Sequence, residues 1–557
     1  MSADSNISLA DRIVKNWYVI IPFIAGLALL GQEINSYDAY NHMLFAKHYR
    51  NDWFSLIDAQ TGGGLDMRSY PPLVFQLIAA ISFITGYEWA YRLVFLVFWS
   101  VLAYYSSAFF QEYSGKKEVP FWLLYTAVFF GVGLLKSIFI FGQVTTVAGF
   151  AFGFMALYHY HRFLTNPGKK DLALSLTSLA LVAFSHHFSL IVIAIVLFVI
   201  TMMESGKIAA FSRRFAPVYF LVFTIVFVPT LWPFISAMLE KDAVPGIEIP
   251  HSSRDPLGSG FSYDQWILTT YGLSGIFVIL PLMGRYLQAG DFRKHLKLYL
   301  IAAVLFLFSI GRATPINKIV FGGMEHWLTY DRFSLFSSLI LTSIMASVAY
   351  GLVSHKAANK KAVLAVLMVF YLAANAGMLG HSREIFSIYP DSVKFENTTA
   401  VIVDFLNNEA NKSYRYQTFG YGNLISNLFL LTENPTLDTN YFTGQKITWV
   451  REAGIAEIDT IKQFGRPDFI YTFLNRSSDY SVRYIITLDK TFSAALENHG
   501  WNRMKEADGI VFWENAAGVQ SLENAVEKPR AENYLWGVVP LLTLIFLCAL
   551  SKQKVNA

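Results

Sequence analysis

The sequence contains a single cysteine, Cys548, among 557 residues, so it can build neither a disulfide framework nor a cysteine-based metal site. Charge is scarce as well. Asp, Glu, Lys and Arg make up 15% of the chain against 54% hydrophobic residues, a balance too apolar for one soluble core. The net charge is only +4, and the basic residues stand in short clusters between apolar runs, which argues against a nucleic-acid partner. Internal repeats and low-complexity tracts are missing too. What the chain does have is a succession of apolar segments of membrane-spanning length.

A helix needs roughly 20 mostly apolar residues to cross a bilayer. Candidates stand near 13–31, 89–111, 118–135, 137–161, 172–186, 188–203, 215–236, 265–286, 296–311, 333–353, 361–379 and 533–550. The fold class read from them is a polytopic α-helical membrane protein with about 12 transmembrane helices. The first run, Val14 to Leu30, has no small-residue cleavage site before Gln32-Glu33 and reads as a retained helix. The short pair 172–186 and 188–203 flanks Ser185-His186-His187, which predicts a junction at a water-facing edge rather than in hydrocarbon.

Residues 70–86 set the topology. The stretch is apolar but short, and it starts on Pro71-Pro72. If it does not cross, the clusters Arg12/Lys15, Lys116/Lys117, Arg162/Lys169/Lys170, Lys207/Arg213/Arg214, Arg285/Arg293/Lys294/Lys297, Lys356/Lys360/Lys361 and Lys552/Lys554 all fall on one side. The positive-inside rule makes that side the cytoplasm, with both termini there, in a multi-pass protein of the cytoplasmic (inner) membrane. Residues 70–86 then form a helix lying at the outer surface. The segments 32–88, 237–264, 312–332 and 380–532 face outward. The domains expected are 1–379, a transmembrane domain whose first outward loop is 32–88; 380–532, an extracytoplasmic α/β domain; and 533–557, a last spanning helix with a basic tail. Within the second of these, residues 482–515 read as strand, helix, strand, strand.

The first outward loop carries more polar detail than a linker needs: "INSYDAYNHMLFAKHYRNDWFSLIDAQTGGGLDMRSYPPL". Ser36 is placed to cap a helix running to about Tyr49, with Asp38 in its first turn and His42 one turn on along the same face. Tyr40, Met43, Leu44 and Lys47 form a neighbouring row suited to the lipid interface, with Lys47 snorkelling. Asp38 fits two roles: an acid satisfying the helix N-terminus, or a general base or metal ligand at the membrane surface with His42 beside it. Gly62-Gly63-Gly64 permits close backbone approach to a ligand and serves a plain turn equally well. Asp52 and Asp58 read as solvated loop positions.

The order of these parts resembles the C superfamily of membrane glycosyltransferases (GT-C). The lipid A aminoarabinose transferases and protein O-mannosyltransferases in it carry an acid after the first helix; the matching residues here are Asp38, Pro71-Pro72-Leu73 and Glu88-Trp89-Ala90-Tyr91-Arg92. This chain has Ala39 after Asp38 where many members carry an acidic pair. A nearer resemblance is to bacterial and archaeal membrane proteins labelled as related to 6-pyruvoyl-tetrahydropterin synthase, which share the Asp38/His42 pattern, the glycine run, "YPPL" and "YRYQTFGYG"-like residues. No three-histidine zinc set accompanies them, so only the GT-C architecture is carried over.

That resemblance implies transfer of a sugar from a polyprenyl-phosphate donor, with inversion, to a glycan, lipid or protein acceptor at the outer face. Asp38 would be the base, with His42 beside it. A phosphate leaving group needs a positive clamp rather than an acid. Arg332, opening the helix "DRFSLF", is the first candidate; Arg312 and Lys318 precede it, and Arg68 and Tyr70 stand where the first loop turns back. Arg332 also suits an interface anchor paired with Asp331, and Arg68 a lipid-headgroup contact. A divalent metal (Mg or Mn) could sit among Asp38, His186, His187, Glu325 and His326, although a water-facing helix junction accounts for the histidines too. A lipid-linked glycan transporter or flippase, or a membrane-anchored scaffold, are the competing functions. Charges gathered at helix ends rather than at mid-membrane speak against the transporter.

Overall fold

The computed structural model describes residues 34–114, 138–204, 289–354, 392–441, 468–515 and 530–553, with short internal gaps, plus scattered positions between 20 and 31 and a few isolated ones elsewhere. The expected spans at 118–135, 215–236 and 265–286, nearly all of 361–379, and the outward segment 237–264 lie outside the described residues.

Helix α1 (Tyr37–Asn51) starts on Ser36, whose hydroxyl accepts the Ala39 amide at 3.3 Å. A short hairpin follows, β1 (Ile57–Asp58) against β2 (Leu65–Asp66). Helix α2 (Leu73–Thr85) and the long α3 (Tyr87–Ser114) pack against α1 and each other. Arg92 of α3 donates to the Leu30 carbonyl at 2.9 Å, which ties the end of the first apolar stretch to this bundle. Then come α4 (Val144–Thr165), α5 (Lys169–Ser185), α6 (His187–Met203), α7 (Ala289–Ser309), the short α8 (Pro315–Phe321) and α9 (Asp331–Ser354). Among the described residues, two helices are long and apolar enough to cross a membrane, Tyr87–Tyr113 and Ala531–Lys552.

The junction of α5 and α6 is packed, which corrects the expectation of a water-facing edge. His186 is buried, and its Nδ1 caps α6 by accepting the Ser189 amide at 3.3 Å, with Ser189 Oγ at 2.8 Å. Gly149 and Gly153 of α4, four residues apart, face Ser189 and Ile193 of α6. A Cβ at Gly149 would lie 2.6 Å from the Ser189 Cβ, so the small-residue spacing is what lets these helices touch.

The C-terminal part contributes α10 (Ser392–Leu406), β3 (Arg415–Phe419), α11 (Ile425–Leu431), α12 (Phe469–Arg476), β4 (Val482–Thr487), α13 (Ser493–Asn498), β5 (Trp501–Ala507), β6 (Ile510–Asn515) and finally α14 (Ala531–Lys552). The sheet order is β3-β4-β6-β5, with β3 parallel to β4 and the other pairs antiparallel. Alternation along the strands feeds two cores. Phe419, Ile485 and Trp513 meet Phe473 on one face, while Tyr416, Tyr484 and Phe512 meet Ile402 and Phe429 on the other.

Leu44 of α1 belongs to that second core, so the row expected at the lipid interface is a protein interface instead. Tyr40, Met43, Leu44 and Lys47 are all buried. Lys47 Nζ donates to the carbonyls of Phe429 at 3.0 Å and Thr432 at 2.5 Å and pairs with Glu433 at 3.1 Å. Those carbonyls end α11, where a helix has acceptors to spare and a cation meets the negative end of its dipole. Gln60 donates to the same two oxygens.

The glycine run joins the same interface. Gly62 and Gly63 donate their amides to the carbonyls of Asp438 and Thr436, both at 2.9 Å, and Thr436 donates back to Gln60 at 2.8 Å. Gly62, Gly63 and Gly64 have φ of 61°, 64° and 118°, left-handed values that favour glycine. Asp58 is buried rather than solvated, accepting from Thr61 at 2.7 Å and facing His48 at 3.7 Å.

Helix α14 closes the arrangement from the far end of the chain. Pro540 has no amide to give to the Trp536 carbonyl, and that oxygen accepts instead from Gln76 Nε2 at 3.1 Å. Trp53 donates to the Gly537 carbonyl at 2.8 Å, and Asn533 to that of Phe54 at 2.7 Å. Arg68, expected as a phosphate or headgroup contact, is buried and held at 2.9 Å by Asp66, with Glu532 of α14 at 3.5 Å. Asp66→Ala would remove the carboxylate nearest that buried guanidinium, and we expect a loss of about 3 to 5 kcal/mol, read as a fall in the thermal unfolding midpoint of the detergent-solubilised protein.

Candidate functional site

The turn at residues 138–143 fixes the geometry around Asp38. Gly142 has φ +69°, and a Cβ there would sit 2.5 Å from the Ala39 amide nitrogen, 2.7 Å from Ser36 Oγ and 2.8 Å from Asp38 Cβ. Only glycine lets this turn press against the first turn of α1. Pressed there, Gln143 Nε2 donates to Asp38 Oδ2 at 3.1 Å. Thr146, one turn into α4, donates to Gln143 Oε1 at 3.0 Å, and Arg332 Nε donates to Thr146 Oγ1 at 3.2 Å. Arg332 also pairs with its neighbour Asp331. Asp38 and Arg332, 294 positions apart in sequence numbering (332 minus 38), are thus joined by three hydrogen bonds.

Asp38 is partly buried. Burial pushes its carboxyl up from 3.8 to about 6, with the Arg332 charge working against the rise, Asp331 adding to it and the Gln143 hydrogen bond opposing it. Such a carboxylate is ionised at neutral pH yet far more basic than a solvated one, which is the property a general base needs.

His42 lies on the same face, one turn further, and is buried. Its ring meets Tyr70 edge-on at 5.9 Å and Phe75 at 5.4 Å. Burial pushes the imidazole down to about 3; the Gly142 backbone opposes that fall and the Arg332 charge adds to it. His42 is therefore neutral across the physiological range, a polar wall rather than a cation or an acid. Its Nδ1 has no hydrogen-bond partner among the described residues. Tyr70 shares a hydrogen bond with Thr145 at 3.3 Å, and burial pushes its phenol up to about 12. Tyr441, from the C-terminal part, packs against both Tyr70 and Phe45 and donates to the Ser69 carbonyl at 2.9 Å. The site thus has a rim supplied by both parts of the chain.

Of the residues singled out in sequence, Asp38, His42, Tyr70 and Arg332 fall in this one neighbourhood. Arg68 is engaged by Asp66 as described above. Lys318 is exposed on α8. Arg312 and His326 lie outside the described residues. Glu325 is buried, its carbonyl taken by the Tyr330 hydroxyl at 3.0 Å. No three His, Cys, Asp or Glu side chains gather into a metal-holding group among the described residues, and His186 is occupied with its cap. Of the donors named for a divalent ion, the described ones, Asp38, His186, His187 and Glu325, form no such group.

In the sequence Gly142, Gln143 and Thr146 fall within the apolar run 137–161 and carry no assigned role. The available signal was "FGQVTT": a glycine, an amide and two hydroxyls clustered where an apolar chain reverses.

At the level of sequence the chain matches no protein-family model and no curated protein. Its fold does match. The crystal structure of ArnT from Cupriavidus metallidurans bound to undecaprenyl phosphate aligns at a TM-score of 0.54 and 11% identity, covering 93% of this chain and 100% of that one. The chain shares the ArnT fold. The apo ArnT structure aligns at 0.54 and 13% identity, covering 92% of this chain and 100% of the other. The cryo-EM structure of the arabinofuranosyltransferase AftD from Mycobacteria aligns at 0.50 and 12% identity; this chain is 93% covered and spans 40% of AftD. Identities this low make the likeness one of fold.

Proposed function

We propose that this protein is an integral-membrane glycosyltransferase that moves a sugar from a polyprenyl-phosphate donor to an acceptor at the outer face of the cytoplasmic membrane, with inversion and with Asp38 as the base. The observation that carries the reading is the hydrogen-bonded link between a carboxyl raised to about 6 and an arginine at the mouth of a helix, within the ArnT fold. One ArnT structure holds undecaprenyl phosphate, which supports a donor of that chemical class. The GT-C resemblance of Asp38, Pro71-Pro72-Leu73 and Glu88 to Arg92 supports the same reaction; the pterin-related resemblance contributes arrangement only.

In the proposed step the acceptor hydroxyl oxygen attacks the anomeric carbon as the bond from that carbon to the phosphate oxygen breaks. The electron pair leaves with the phosphate, and the hydroxyl proton passes to the Asp38 carboxylate. Arg332 stabilises the departing phosphate charge. His42, kept neutral, offers a hydrogen bond from the wall. Arg312 and Lys318 are proposed as further cations for the phosphate, and the exposed position of Lys318 on α8 leaves it accessible.

The test is mass spectrometry of lipid-linked and envelope glycans from cells lacking the protein. We expect a polyprenyl-phosphate sugar to accumulate and one acceptor to lose its sugar, both reversed by the wild-type chain. A donor accumulating solely in the inner leaflet, with no acceptor underglycosylated when donor is supplied outside, would replace transfer by lipid-linked sugar transport. An unchanged glycan profile would leave the scaffold reading.

A further inference from the structure

The three hydrogen bonds between Arg332 and Asp38 run in one direction. Arg332 has only donors to offer, so Thr146 Oγ1 must accept from Nε and turn its own proton toward Gln143 Oε1. That fixes the Gln143 amide, whose oxygen accepts and whose nitrogen therefore faces Asp38 Oδ2. A second bond from Gln143 Nε2 to the Phe141 carbonyl, at 3.1 Å, holds the same orientation. Every bond thus points its donor toward the carboxylate, and the cation at one end polarises the row toward the anion at the other. Gln143 touches Asp38 directly and Thr146 acts on it only through Gln143, and both are buried.

We infer that Gln143 and Thr146 are positioning residues for the proposed transfer, holding one Asp38 oxygen and the Arg332 side chain so that the other oxygen faces the acceptor. The inference rests on the reading of Asp38 as base. It assigns two roles. Gln143 sets the rotamer of Asp38 and stabilises its charged form; Thr146 locks the Gln143 amide and ties it to the residue that meets the donor. The other titratable groups facing Asp38 are Tyr70, Tyr91 of α3, Asp331 and Arg332, with His42 one turn along α1. Of these, His42 stays neutral and Tyr70 keeps its proton in the working range, so Gln143 is the group whose removal moves the Asp38 titration without removing a charge.

The experiment measures kcat and its pH dependence for the full-length protein in lipid nanodiscs, with a synthetic polyprenyl-phosphate sugar as donor. Gln143→Met should lower kcat roughly tenfold or more through lost alignment and move the acidic limb upward by about one pH unit, the worth of a hydrogen bond to a charged group. Thr146→Val should shift the limb in the same direction by less and raise KM for the donor, whereas Thr146→Ser should restore both. A wild-type limb and wild-type kcat in Gln143→Met and Thr146→Val, beside an inactive Asp38→Asn, would overturn the positioning roles and leave the transferase reading intact. An Asp38→Asn protein as active as wild type would remove both. Should Gln143→Met accumulate poorly, infrared titration of the Asp38 carboxyl, identified by its loss in Asp38→Asn, decides in the Thr146→Val protein: an upward midpoint supports the relay, and an unmoved one overturns it.

Discussion

Asp38→Asn is expected to abolish sugar transfer while leaving the protein folded and at normal abundance. The amide is isosteric, Ser36 remains the cap of α1, and an asparagine oxygen can still accept from Gln143. What is lost is proton affinity. A positioned base contributes about 10²- to 10⁴-fold, so the fall in kcat should lie in that range, with KM for the donor little changed because Arg332 is untouched. The wild-type pH profile carries the same signature. With the carboxyl raised to about 6, the competent ionised form predominates above that value, and activity should fall about tenfold for each pH unit below it. An acidic limb near 4, the range of a solvated carboxylate, would return Asp38 to the role of a capping acid. So would a variant that complements a deletion strain as well as wild type.

The second large effect is structural and falls on a residue with no chemistry of its own. Gly142→Ala must place a methyl group 2.5 Å from the Ala39 amide nitrogen and carry a side chain at φ +69°. A left-handed conformation costs a non-glycine residue about 1 to 2 kcal/mol, and overpacking against backbone adds about 1 to 3. The first turn of α1 has to move away, taking Asp38 from Gln143. We expect a lowered thermal midpoint together with loss of transfer, whereas Gly149→Ala, which meets the Ser189 side chain rather than backbone, should keep more activity at comparable destabilisation. Equal activity in Gly142→Ala and wild type would show that the approach of the 138–143 turn is not what holds the site.

The parts of this arrangement that could be read in the sequence are those carried by local rules. Ser36 as a cap, Asp38 in the first turn and His42 on the same face follow from side-chain chemistry and helical spacing, and the structure has them so. The strand, helix, strand, strand order at 482–515 follows from β-branched alternation giving way to "TFSAALENHG". The residues read differently were those whose partners come from far away or are brought round by a turn. Lys47 beside an apolar row has the pattern of an interface anchor, and nothing local distinguishes lipid from the end of α11. Asp58 and Arg68 looked free because the charge or hydroxyl that answers each is set by a tight hairpin. Gln143 was silent for the opposite reason: an amide at a turn has an ordinary local explanation, and its importance comes only from Asp38, 105 residues earlier.

The proline in the last helix bears on how the molecule is made. The Trp536 carbonyl that Pro540 leaves open is matched to Gln76, 460 residues upstream, and Trp53, Phe54 and Arg68 of the same loop also wait for α14. During synthesis that loop is made long before its partners exist, so the ribosome delivers the loop holding the proposed base in an unfinished state. Maturation of the site is therefore a late event, and nascent chains halted before residue 530 should expose residues 53–68 to proteolysis that the completed chain resists.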